Sequence, residues 1–141
     1  MTELRIARAA VAGALTLVLA GAFQAAGSAQ DAAGGSIADG VFTAAQATEG
    51  RAVFQKACVS CHSLPELANP KFALRWEGTT VGDVYNLILT TMPDGAPRSL
   101  DPKEYAAIVA FFLKESGYKE GEKELPTELD ILRKIKIVPL P

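Results

Sequence analysis

Three residues in one pentapeptide carry most of the chemistry open to this chain: Cys58, Cys61 and His62, in the run CVSCH. The spacing C-x-x-C-H lets two thiols add across the two vinyl groups of a porphyrin. It also carries the adjacent imidazole beneath the ring, where it can bind iron. Covalent attachment of one haem c uses every residue of the motif. Elimination supports it, because the chain has two cysteines and one histidine, and all three stand in this run. A structural zinc site needs about four such donors. A redox dithiol is another use of C-x-x-C, but it sits beside a βαβ pattern that is not legible here. A plain structural disulfide is the remaining alternative.

An iron held from one side by His62 has a second axial position. Apart from the initiator, Met92 is the one methionine of the chain, and Pro93 follows it at the end of an apolar helical run. A thioether opposite an imidazole is a known axial pair that raises the reduction potential. The alternative is a packing methionine, since Met fills irregular gaps well.

The elements that must position these groups begin after the first 29 residues. Arg5 and Arg8 precede an apolar run from Ala9 to Ala26, and Gly27, Ser28 and Ala29 follow. A basic start, an apolar middle and a small-residue exit predict a secretory signal peptide over 1–29. An uncleaved anchor is the alternative, although Gly13, Thr16 and Gly21 interrupt the run. Cleavage makes the protein exported and periplasmic, with membrane contact only if the segment is retained. Export agrees with haem attachment, because c-type maturation takes place on the outer face of the membrane. The net charge is −2, and loss of Arg5, Arg8 and Glu3 makes it slightly more negative. A nucleic-acid partner would want a concentrated basic face, which is absent.

Residues 30–42 are mostly Gly, Ala, Ser and Asp and read as a flexible leader. Three main helices are predicted in the domain spanning 43–117, which makes the fold all-α. The first starts near Thr43, where Thr43 and Gln46 have capping-box spacing, and it aligns Gly50, Phe54 and Ala57. An irregular stretch broken by Pro65 and Pro70 follows the CVSCH run. The second helix covers about Val81 to Thr90, with Thr80 and Asp83 at its start and Pro93 beyond its end. The third starts at Asp101, Pro102 and Glu104 and stops at Gly117, with Tyr105, Ile108, Val109 and Phe112 on its apolar face. Residues 118–141 form a C-terminal extension: a charged stretch, a short helix near Thr127–Arg133 and an extended end. A core this small commonly relies on a cofactor, so haem is expected to complete it.

With these residues in view, Ala44–Ser116 resembles class I cytochrome c. The resemblance implies a fold of three main helices around one covalent haem, with His62 and Met92 as axial ligands. It places Gly50 and Phe54 of the first helix against Phe111 of the last. The stretch RWEGTTVGDVYNLILTTMPDGAPRSL, then EYAAIVAFFLKESGYKEGEKEL and the closing LRKIKI, resembles cytochromes that partner quinoprotein (PQQ-dependent) alcohol dehydrogenases. That implies redox protein partners: a dehydrogenase donor and a cytochrome or oxidase acceptor. The resemblance also implies that the Trp76 indole N–H binds a haem propionate, where simple core filling is the alternative. A carbonyl of Pro65 or Pro70 could accept from the second nitrogen of His62. Lys56, Lys71, Arg75, Arg98 and Lys103 could ring the haem edge and steer a partner, although acidic residues interleave with them.

An electron carrier with both axial positions filled is the leading functional reading, and such a protein is no enzyme. Two others stand beside it. One is a haem sensor with a labile Met92; the other is a fixed haem subunit of a larger oxidoreductase, held by the tail.

Overall fold

The computed structural model describes residues 35–140. The signal peptide read over 1–29 and the first part of the leader lie outside the described residues. The helices are α1 (Ala44–Ala57), α2 (Leu64–Leu67), α3 (Phe72–Trp76), α4 (Val81–Thr91), α5 (Pro102–Glu115) and α6 (Leu129–Leu132). Among the described residues there is no named strand, only isolated bridges from Lys136 to Ser36 and to Thr80. No described helix is long and apolar enough to cross a membrane.

The centre of the fold is the crossing of α1 and α5. A Cβ on Gly50 would stand 1.8 Å from the Ala107 carbonyl oxygen, so only hydrogen lets the two backbones meet there. One turn further on, the Phe54 ring lies 5.8 Å from both Phe111 and Phe112. Such aromatic pairs add about 0.5–1.5 kcal/mol each beyond the area they bury.

Helix α4 runs across α5 and begins at a reciprocal cap. The Thr80 hydroxyl accepts from the Asp83 N–H, and the Asp83 carboxylate accepts from the Thr80 N–H at 2.8 Å. The Thr80 hydroxyl also donates to that carboxylate at 2.7 Å, and this bond, with the one from the Thr80 N–H, holds the Asp83 carboxyl below the usual aspartate range. Helix α5 has the same device in Asp101 and Glu104. The cap of α1 is only half of what the Thr43–Gln46 spacing predicts. Thr43 accepts from the Gln46 N–H, but the buried Gln46 side chain reaches Leu125 instead. It donates to the Leu125 carbonyl and accepts from the Leu125 N–H, both at 2.9 Å.

Two expectations are corrected. The stretch between His62 and Trp76 is not irregular, because α2 and α3 lie within it. Pro65 sits in the first turn of α2, where its missing N–H costs nothing, and Ser63 with Glu66 caps that turn. Residues 35–42 are not a flexible leader either. Ile37 and Phe42 are fully buried, and Ile37 donates to the Lys136 carbonyl at 3.0 Å.

The C-terminal extension wraps the same side of the molecule. The Lys136 N–H returns to the Gly35 carbonyl, Gly121 donates to Phe42, and Val81 at the head of α4 donates to Ile135. Tyr118, Leu125, Leu132 and Ile137 enter the core. The two ends of the described chain thus form a belt, bonded to each other and to the head of α4.

Candidate haem site

The CVSCH run is folded into one tight turn at the end of α1. The Cys58 N–H donates to Phe54, and the Cys58 carbonyl accepts from the backbone N–H of both Cys61 (3.1 Å) and His62 (2.9 Å). This brings Cys58, Cys61 and His62 to the wall of one open cleft of about 380 Å³, which Met92, Pro93 and Asp94 also line. Both thiols are free; Cys58 is half-buried and Cys61 exposed. Burial pushes the Cys58 thiol upward, toward the protonated form.

A second cleft, of about 130 Å³, shares His62 and Met92 with the first. Its remaining lining is largely apolar: Leu67 from α2, Phe72 and Trp76 from α3, Val84, Leu87 and Ile88 from α4, and Phe112 from α5. The first volume falls within the range of small-molecule and cofactor sites, and the second extends it as an apolar annex. Two thiols at attachment spacing, an imidazole nitrogen, a thioether donor and a broad apolar wall are the donor set and surroundings that a haem requires, so the residues fit the group.

Each site residue read from the sequence has a definite place. Cys58, Cys61, His62 and Met92 line the first cleft, His62 and Met92 line both, and Trp76 lines the second. Trp76 packs against Phe72 with ring centroids 6.5 Å apart, and its indole N–H has no protein acceptor among the described residues. The Pro65 carbonyl accepts from the Asn69 side-chain amide at 2.8 Å, and neither it nor the Pro70 carbonyl receives the His62 imidazole. Of the five basic residues, Arg75 lines the apolar cleft, with its guanidinium donating to the Glu66 carbonyl. Lys103 instead lines a separate depression beside Glu49, Glu124 and Glu128. Lys56, Lys71 and Arg98 line neither cleft. Leu67 and Phe72 were missed as lining residues because their helices were missed; the spacing of Ser63 and Glu66 was the available signal.

A helical domain whose first helix runs into C-x-x-C-H, and whose last long helix, α5, meets the first at a glycine, has the architecture of a c-type cytochrome. Residues 45–112, slightly less than half of the chain, match the family model described as Cytochrome C oxidase, cbb3-type, subunit III. No curated protein and no solved structure matches the chain. The matched segment is a cytochrome c domain with the all-α class I fold. It carries covalently attached haem c, for which Cys58 and Cys61 have the attachment spacing, and it transfers electrons to and from redox protein partners.

Proposed function

We propose that the protein is an exported, periplasmic single-haem carrier in which His62 and Met92 are the two axial ligands. The bound haem supplies one-electron chemistry, its iron alternating between the ferric and ferrous states. The chain's own part is to hold that iron in one coordination state. His62 presents an imidazole directly after the attachment turn, and Met92 presents a thioether where α4 ends. A thioether in that position favours the ferrous state and raises the potential. Phe72, Val84, Ile88 and Phe112 line the apolar cleft and would shield a bound haem from water, and the Trp76 indole N–H would be the donor to a propionate. The observation that carries the reading is that His62 and Met92 both line both adjoining clefts. The proposed donor is a quinoprotein dehydrogenase and the acceptor a later cytochrome or oxidase.

Carbon monoxide tests the closed site. The ferrous protein is expected not to bind it, because both axial positions are filled. Ready binding would favour a sensor with a labile Met92.

A second reading, a fixed haem subunit of a larger oxidoreductase, is supported by the description of the matched family as an oxidase subunit. Its test needs the intact chain. Tyr118, Leu125 and Leu132 are buried, so deleting the tail would open the core as well as any interface. Purification of the tagged full chain from its native membranes separates the two readings. A stable large partner supports the subunit; a lone monomer supports the carrier.

A further inference from the structure

The loop that follows Met92 is tied to the rest of the molecule by few bonds. Met92 ends α4 in extended conformation, with φ −126° and ψ 151°. Its N–H still donates to Ile88, but Pro93 brings no N–H of its own. The loop bonds from Ala96 to Pro93 and from Ser99 to Ala96 are internal, and the bond from Arg98 to Leu89 returns to α4. One side chain joins this loop to α5. The Tyr105 hydroxyl donates to the Met92 carbonyl at 2.9 Å and sits 3.5 Å from the Leu100 N–H, so a single phenol spans both ends of the loop.

Tyr105 is well placed for this task. It is fully buried on the central helix, and the Tyr85 ring meets it edge-on at 6.4 Å. Its rotamer is therefore fixed by packing, and its hydroxyl reaches the backbone of the very residue whose thioether lines the cleft. The bond is part-buried, with Tyr105 itself fully buried, and a phenol held in the core is costly to leave without its acceptor. Movement of Met92 away from the cleft would break the bond and leave the phenol without an acceptor.

We infer that Tyr105 is a positioning residue for Met92, setting how readily an external ligand displaces its thioether. The inference rests on the axial-ligand reading above. The experiment is an imidazole titration of the ferric holoprotein, followed through the weak red-edge band of iron–methionine bonding. Parent, Met92→Ala, Tyr105→Phe and Tyr85→Phe are compared. Tyr85→Phe is the control, because it removes a hydroxyl from the same cluster, one that reaches only Pro102 at 3.4 Å.

Tyr105→Phe is expected to keep its haem and helical signal yet bind imidazole about fivefold more tightly, the effect of one lost net hydrogen bond. Tyr85→Phe should titrate like the parent. Equal affinities for Tyr105→Phe and parent would overturn the inference while leaving Met92 as ligand, and so would an equal shift in both tyrosine variants. A parent without the red-edge band would overturn the ligand reading itself, and this inference with it.

Discussion

The two sides of the molecule are held together in different ways. From Cys58 to Trp76, on the haem side, the hydrogen bonds are local. Ser63 and Glu66 cap α2, Asn69 bonds Pro65, and the longest reach is Arg75 to Glu66, nine residues apart. On the belt side the bonds join distant parts of the chain. Gln46 and Leu125 are 79 residues apart, and Ile37 pairs with Lys136. Leu74 and Val59 on the haem side stay largely exposed, whereas Ile37, Phe42 and Leu132 on the belt are fully buried. The belt side closes on itself. The haem side consists of short turns that need the cofactor to join them, through two thioether bonds and a broad apolar ring. A small domain with a covalent cofactor can leave one wall to it in this way.

Substitutions on each side should separate stability from spectroscopy. The largest effect is expected for Gly50→Ala, whose methyl group would overlap the Ala107 carbonyl. It should cost about 3 kcal/mol or more in denaturant unfolding, since backbone must move. Gln46→Ala comes next. It leaves the Leu125 N–H and carbonyl unpaired in a buried position, at a cost of about 2–3 kcal/mol. Its haem spectrum should stay at the parental form, while proteolysis between 118 and 130 accelerates. A changed spectrum would mean that the two sides are not separable.

On the haem side, Arg98 adopts a left-handed backbone with φ 64°, which disfavours any residue with a Cβ. Arg98→Gly should stabilise by about 0.5–1 kcal/mol, read as a small rise in Tm, because relief of strain outweighs the added freedom of the unfolded chain.

The smallest effect concerns pH. The folded Asp83 carboxyl titrates below its ordinary range, so its contribution is complete above about pH 4. That contribution is lost as pH falls through the lower folded value. Asp83→Asn should flatten the acid limb of the Tm–pH curve, and an unchanged limb would remove the cap from the account of α4.

What could be read in the sequence followed from range. The starts of α4 and α5 were legible because Thr80 with Asp83, and Asp101 with Pro102 and Glu104, are local signals that need no tertiary partner. The attachment run was legible, and Met92 stood out as a candidate, because residue types this scarce leave few alternatives. The belt was not, because Gly, Ala and Ser around Ile37 give no periodic signal and its partners lie about a hundred positions away. The role of Gln46 was misassigned for the same reason: its local partner, the Thr43 backbone, lost to a distant one, Leu125. Helices α2 and α3 were obscured by Pro65 and Pro70, since proline marks a first turn as readily as a break.

The central claim, that Met92 closes the iron opposite His62, is tested most directly by the visible spectrum of the ferric protein beside Met92→Ala. The account predicts a weak red-edge band in the parent and none in the variant, with haem attached in both. A parent that carries haem but lacks the band, or a variant that keeps it, would contradict the claim.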